Sequence, residues 1–380
     1  MLLGLWPMVS TYSTKSQYYL FTFLIIVNCL LMAVITLPCL SNMLFREMDP
    51  MIRLMLIGPI TFYIASILKY SSIVYRRRSI RDCIEHLEND WTNIENENDW
   101  NIMIKNVQVG RNLTVLCGIL LLPSTVCYRV ILPLWTGKTI IEFNETVRIP
   151  VHYGFDVFVD AQKSPMYECI FYTCAVAALI SSTVAVTSCN LVAMFVTHAC
   201  GQFQIVVSRL ENLIISVDDL DEEILKRRIK FIVYTHVRVL GFSSKIDEAV
   251  REISCVEVAA STLTLCLDEY YCMTEWNNSD PVAILTYAGA FIAFTFNIFL
   301  FCYIGELLKG QCDKIERAAY MSDWYKLRGT SGLAIVLIIS TGLHPRKIEA
   351  GRIVELSFLT FGSIMKTTFA YLNMLRTIVF

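Results

Sequence analysis

Seven stretches of this sequence stay apolar for about 20 residues or more, and that property decides most of what the chain can fold into. A helix of about 20 residues spans the hydrocarbon core of a bilayer, and in that solvent only helices and closed barrels satisfy their own backbone. The stretches fall at 18–40, 51–75, 113–135, 166–197, 253–273, 282–308 and 352–379. A further apolar run, GLAIVLIISTGL at 332–343, is too short to cross and reads as a half-helix leading into the last span. Composition agrees: 55% of the 380 residues are hydrophobic and only 17% are charged, unlike a soluble domain. The expected fold is an all-α polytopic membrane protein, a single seven-helix transmembrane domain over 1–380.

Lysine and arginine near span ends set the orientation. RRRSIR at 76–81, LKRRIK at 225–230 and LKGQCDKIER at 308–317 all fall on one side. With the N-terminus cytoplasmic, the inside segments hold about 20 Lys and Arg against about six outside. The C-terminus is then extracellular. The outside loops 136–165 and 275–280 carry glycosylation sequons at Asn144 and Asn277, whereas the sequon at Asn112 falls at the cytoplasmic edge and stays unmodified. No secretory leader is legible at the start, which has an early Pro7, no basic region and no small-residue cleavage site. The 14 cysteines form no CxxC pair and read as small packing residues. A disulfide between Cys169 and Cys272 near the outer face stays open.

The cytoplasmic segments, 76–106, 198–245 and 309–351, are more than loops. Ile80, Ile84, Leu87, Trp91 and Ile94 recur at helical spacing, so the second span continues as an amphipathic helix. Val206, Leu210, Leu213 and Ile214 form a second stripe beyond span four. Such stripes must be buried, either within one subunit or between subunits.

No catalytic constellation is present. The five histidines (86, 152, 198, 236 and 344) lack HExxH spacing, and there is no P-loop, GxSxG or GxGxxG. No pair of carboxylates is expected at helical spacing within an apolar span, and no inverted repeat of broken helices marks a transporter. The chain is expected not to be an enzyme and to need no cofactor or metal. A net charge of −2 argues against a nucleic-acid partner.

Four stretches, in order, resemble the insect odorant receptors: GLWP at 4–7, HACGQFQIVVSRLENL at 198–213, YIGELLKGQCDKIERAAYMSDWYKL at 303–327 and AGRIVELSFLTFGSIMKTTFAYLNML at 350–375. The resemblance covers nearly the whole chain. Thr368 and Ala370 stand where the family often has serine, which removes a hydroxyl at 370. The T-Y…Q-F signature of the related gustatory receptors is absent, as is the long loop between spans four and five that marks the shared co-receptor. The chain therefore resembles a tuning subunit. The resemblance implies an odorant-binding subunit of a ligand-gated, non-selective cation channel in the plasma membrane of sensory neuron dendrites. Its implied partners are co-receptor subunits in a heterotetramer, a small volatile organic ligand and membrane lipid. A gustatory-type channel of the same fold is the alternative. A G-protein-coupled receptor is a weaker one, since it would put the basic clusters outside.

By position rather than by motif, the resemblance places the ligand among spans two, three, four and six. The expected contacts are Phe62, Tyr63, Ser124, Tyr128, Tyr172, Val176, Tyr287 and Phe291, with hydroxyls to meet a ligand oxygen. Arg129 is expected to snorkel to the outer interface. The second half of the last span is expected to line the pore. Lys366 near its middle either faces a protein interface or the ion path. Leu372 and Leu375, with Arg376 beyond, form either an apolar constriction or ordinary packing.

Overall fold

The computed structural model describes residues 14–45, 50–131, 139–142, 145–148, 163–216, 222–278, 281–322, 324–327, 330–343 and 345–379. Nine α-helices carry nearly all of these residues: α1 (Lys15–Phe45), α2 (Pro50–Tyr75), α3 (Arg77–Thr92), α4 (Glu97–Val126), α5 (Met166–Ser216), α6 (Glu222–Asn278), α7 (Pro281–Met321), α8 (Thr330–Gly342) and α9 (Phe358–Val379). A π-helical turn, Cys127–Ile131, extends α4. Two antiparallel hairpins are the strands among the described residues: β1 (Thr139–Glu142) with β2 (Glu145–Arg148), and β3 (Glu349–Ala350) with β4 (Val354–Glu355).

Five helices are long and apolar enough to cross a membrane: α1, α2 from Leu56, α4 with its π turn, α5 and α7. The pattern in α1 shows why. Ile25, Asn28, Met32, Ile35, Cys39 and Asn42 recur every three or four residues and are buried. Leu20, Phe23, Ile26, Leu30, Val34 and Leu37 between them are exposed, a comfortable arrangement only against lipid. Helices α6 and α9 are also long enough, at 57 and 22 residues, but each carries charge where it would cross. Glu257, Asp268 and Glu269 of α6 turn inward and are buried, whereas Lys366 of α9 is exposed on the subunit surface.

Helices α5 and α6 are about 77 and 86 Å long at ~1.5 Å per residue, far more than a bilayer's thickness. Their excess lengths bundle with α3, the start of α4, the end of α7 and α8 into an anchor at one end of the molecule. Ile80 of α3, Val206, Leu210 and Leu213 of α5, and Ile335 and Ile338 of α8 share one buried core, with Ile84 and Leu87 packed against it. The two stripes are thus buried within one chain, apart from Ile214, whose side chain lies outside the described residues. Trp91 meets Trp100 edge to face at 5.0 Å, and Ile94 lies past the end of α3. Leu333 and Leu337 of α8 and Phe231 and Tyr234 of α6 remain exposed on the anchor.

A polar hub sits inside the anchor. Asp90 of α3 is buried and accepts hydrogen bonds from His198 Nε2 at 2.9 Å, from Gln202 of α5 and from Arg238 of α6. His86 approaches the same carboxylate at 3.3 Å, and its ring stacks on Phe242 at 4.2 Å. Burial pushes the His86 imidazole below its ordinary pKa against the opposing pull of Asp90. Burial alone holds His236 down to about 4.

One expectation needs correction and one open alternative is closed. The last helix starts at Phe358 rather than near 352, because 349–355 folds into the β3–β4 hairpin. Its turn places Gly351 and Arg352 at φ of 64° and 61°, a region that suits the glycine and strains the arginine. The hairpin is tied to α6 by the Glu349 amide donating to Asp247 Oδ1 at 2.9 Å and the Gly351 amide donating to the Arg251 carbonyl at 3.3 Å. Gly305 of α7 lets the Leu356 carbonyl approach where a Cβ would collide. All 14 cysteines are free, so Cys169 and Cys272 form no disulfide: Cys169 is exposed near the start of α5, and Cys272 faces a groove between α6, α7 and α9. Asn144 and the 4–7 stretch lie outside the described residues. Asn277 is in the last turn of α6, and its side chain lies outside them too.

Candidate functional site

Away from the anchor, α2, α4, α5, α6 and α7 part around a small, partly open cavity. Its wall takes Gly58, Pro59 and Phe62 from α2, and Leu121, Ser124 and Thr125 from α4. The π turn adds Tyr128 and Arg129, and α5 adds Ala178. Helix α6 contributes Thr264, Asp268 and Tyr271, and α7 contributes Tyr287, Ala290, Ala293 and Phe294. Aromatic walls with a few polar groups are the usual make-up of a site for a small organic molecule.

Local sequence explains the opening. Pro123 cannot donate its amide within α4, and the helix loosens into the π turn four residues on, a distortion common where function needs it. That turn aims Tyr128 and Arg129 inward. The Arg129 guanidinium lies over the rings of Tyr63 and Tyr128, at 5.4 and 5.1 Å, instead of snorkelling outward. Tyr287 joins the aromatic wall, 6.0 Å from Tyr128 and 5.4 Å from Tyr271. Ser124 Oγ donates to the Gly289 carbonyl at 3.3 Å, and Thr125 shares a hydrogen bond with Ser182 at 2.5 Å, tying α4 to α7 and α5.

Toward the anchor, the cavity is floored by an ionic knot. Lys69 Nζ of α2 lies 2.5 Å from Glu257 Oε2 of α6. Glu257 Oε1 accepts from Ser261 and from Asn297 Nδ2 of α7, each at 2.7 Å, and Cys117 of α4 donates to Asn297 Oδ1 at 3.5 Å. Both charges are almost wholly buried. Ser261, Asn297 and Cys117 each sit about one helical turn from a cavity residue: Thr264, Ala293 and Leu121.

The structure brings together four of the eight residues picked by position: Phe62, Ser124, Tyr128 and Tyr287 line the cavity. Tyr63 is buried behind Phe62, ring to ring at 5.8 Å. Tyr172 and Val176 point away, 67% and 47% exposed. They lie two residues out of phase with Cys174 and Ala178, which is about 200° of helix rotation. Phe291 lies in the groove between α6, α7 and α9, with Glu269, Cys272 and Phe369. On α9, Lys366 is exposed and Leu372 is half-buried against the Tyr270–Tyr271 cluster, while the side chains of Leu375 and Arg376 lie outside the described residues. Sequence reasoning missed Asp268, Thr264 and Tyr271. The signal was there in CLDEYY, where two acids interrupt an otherwise apolar span.

Residues 54–369 match the family model described as 7tm Odorant receptor. Among curated proteins, the chain is 24% identical to odorant receptor 82a of Drosophila melanogaster over 71% of this chain and 67% of that one. It is 22% identical to odorant receptor 13a of the same fly, over 61% and 58%, and 20% identical to odorant receptor 10 of Aedes albopictus, over 58% of each. The matches to these last two therefore span less than two thirds of their length. In fold, the chain superposes on the insect olfactory receptor OR5 from Machilis hrabei, solved in complex with eugenol. The TM-score is 0.77 over 99% of this chain and 94% of that one, at 16% identity. A second structure of that receptor gives 0.78 over 98% and 95%. With most of its length matched to one receptor family and its helices arranged as in a solved member, the chain belongs to the 7tm odorant receptor family, a family of receptors rather than enzymes.

Proposed function

We propose that the chain is the odorant-binding subunit of a ligand-gated, non-selective cation channel in the plasma membrane, assembled with co-receptor subunits in a heterotetramer. One observation carries this reading. Tyr271 and Tyr287 wall the cavity and also pack in one apolar cluster with Leu372 of α9. A ligand that moves these two rings moves the helix carrying the exposed Lys366. A small volatile compound would sit among Phe62, Ser124, Tyr128 and Tyr287. Helix α9 would line the ion path, with Leu372 and Leu375 as its constriction and Arg376 just beyond. Lys366 is then placed in water or at a subunit boundary, where its charge costs least. The exposed apolar side chains of the anchor, Leu333 and Leu337 among them, support subunit association, since apolar surface outside the bilayer gains from cover. The N-terminus is cytoplasmic and the C-terminus extracellular, with Asn144 and Asn277 on the outer, glycosylated side.

The test is whole-cell recording with a broad panel of volatile compounds, with and without the co-receptor. The reading predicts ligand-evoked cation current only with both subunits at the surface. Surface delivery of both with no current to any compound would contradict it.

A further inference from the structure

Asp268 is 7% exposed, lines the cavity, and leaves its Oδ2 with no hydrogen-bond partner. A buried carboxylate without a donor is costly, and proteins rarely keep one unless something else meets it. The other two buried acids of α6 lie off the cavity wall. Glu257 is held by Lys69, Ser261 and Asn297, and Glu269, whose two oxygens also lack a hydrogen-bond partner, faces the groove toward α9. The one basic group on the cavity wall, Arg129, does not meet Asp268 either, since its guanidinium rests on the Tyr63 and Tyr128 rings. What surrounds Asp268 is aromatic: Tyr128, Tyr271 and Tyr287 form a continuous wall with centroids 5.4 and 6.0 Å apart.

A single acid in an aromatic enclosure matches the chemistry of a basic nitrogen. The carboxylate supplies a charge-assisted hydrogen bond, and ring faces attract a cation that has shed water. We propose that this cavity selects small amines, with the Asp268 carboxylate binding the basic nitrogen and the surrounding rings enclosing its carbon skeleton. The proposal rests on the reading of this cavity as the ligand site, and it makes Asp268 the residue that sets ligand class.

The probes are benzylamine and N-methylpiperidine against their carbon counterparts, ethylbenzene and methylcyclohexane. Each is applied to the full chain with co-receptor for current, and to the purified full chain in detergent for thermal stabilisation. The expected result is that each amine acts at a concentration at least about tenfold below its hydrocarbon, the preference one charged hydrogen bond supports. Asp268→Asn should erase that gap, and a melting temperature without ligand near the parent's would show that the variant is folded. Asp268→Leu, which removes the polar group altogether, should do the same. Equal action of amine and hydrocarbon on the unaltered chain, or a gap that persists in both variants, would overturn the proposal. The two readouts separate this from the channel reading: amine-selective stabilisation without current contradicts only the channel, and current without amine preference contradicts only the role of Asp268.

Discussion

Replacing Lys69 by methionine tests the energetics of the cavity floor. The substitution conserves volume and removes one charge from a pair whose side chains are 7% and 1% exposed. It leaves the Glu257 carboxylate buried with Ser261 and Asn297 as its remaining donors. Breaking one side of a buried pair typically costs about 3–5 kcal/mol, because the surviving charge is stranded. The partner substitution Glu257→Gln strands the lysine at similar cost. The double variant strands neither charge, so it should lie within about 1–2 kcal/mol of the parent and give a coupling of at least ~2 kcal/mol. In a thermal melt of the full chain in detergent, each single variant should fall by roughly 5 °C or more, and the double should recover most of that. Two results would refute the reasoning: a Lys69→Met variant that melts like the parent, or a double variant no better than the worse single. Either would mean that the pair is hydrated and not part of the packed floor.

Asp90→Ala should strand His198, Gln202 and Arg238 together and cost about 3 kcal/mol or more, read as lost surface expression and a lower melting temperature. His236 should make the anchor acid-sensitive. Its imidazole titrates at about 4 when folded and near 6.5 when unfolded, so the unfolded chain takes up the proton first as pH falls. Stability is full above pH 6.5 and declines toward pH 4. From pH 7 to 5.5 the His236 share of the loss should be about 1 kcal/mol, and His236→Gln should remove that share in pH-dependent melts, leaving the smaller slope from His86. Gly305→Ala should push α7 off the Leu356 carbonyl and destabilise by about 2–3 kcal/mol, whereas Gly310→Ala, with open space at its Cβ, should not; paired melts check this. Phe62→Ala should enlarge the cavity and shift the preferred ligand toward longer chains by one or two carbons, read from dose–response series.

The apolar helices were legible because hydrocarbon imposes a length and an apolarity that few other structures demand. The anchor stripes were legible for a related reason: Ile80, Val206, Leu210 and Leu213 are apolar against a polar background, so their phase identifies the buried face. The same logic fails inside the bilayer. On α5, Tyr172 and Val176 are as apolar as Cys174 and Ala178, so phase carries no information about which face meets lipid and which meets protein. What distinguishes the faces there is polarity. Asp268 and Glu257 mark the inward side of α6 more surely than any tyrosine. The β3–β4 hairpin was hidden because its partners are distant in sequence: Asp247 and Arg251 hold residues about 100 positions away.

The proposed function depends most on how the bundle is threaded through the membrane, since the proposed pore at the end of α9 requires that end to face the exterior. Epitope tags at either terminus, read with antibody on intact and permeabilised cells, test this directly. The account predicts a C-terminal tag labelled on intact cells and an N-terminal tag labelled only after permeabilisation. The reverse pattern would contradict it.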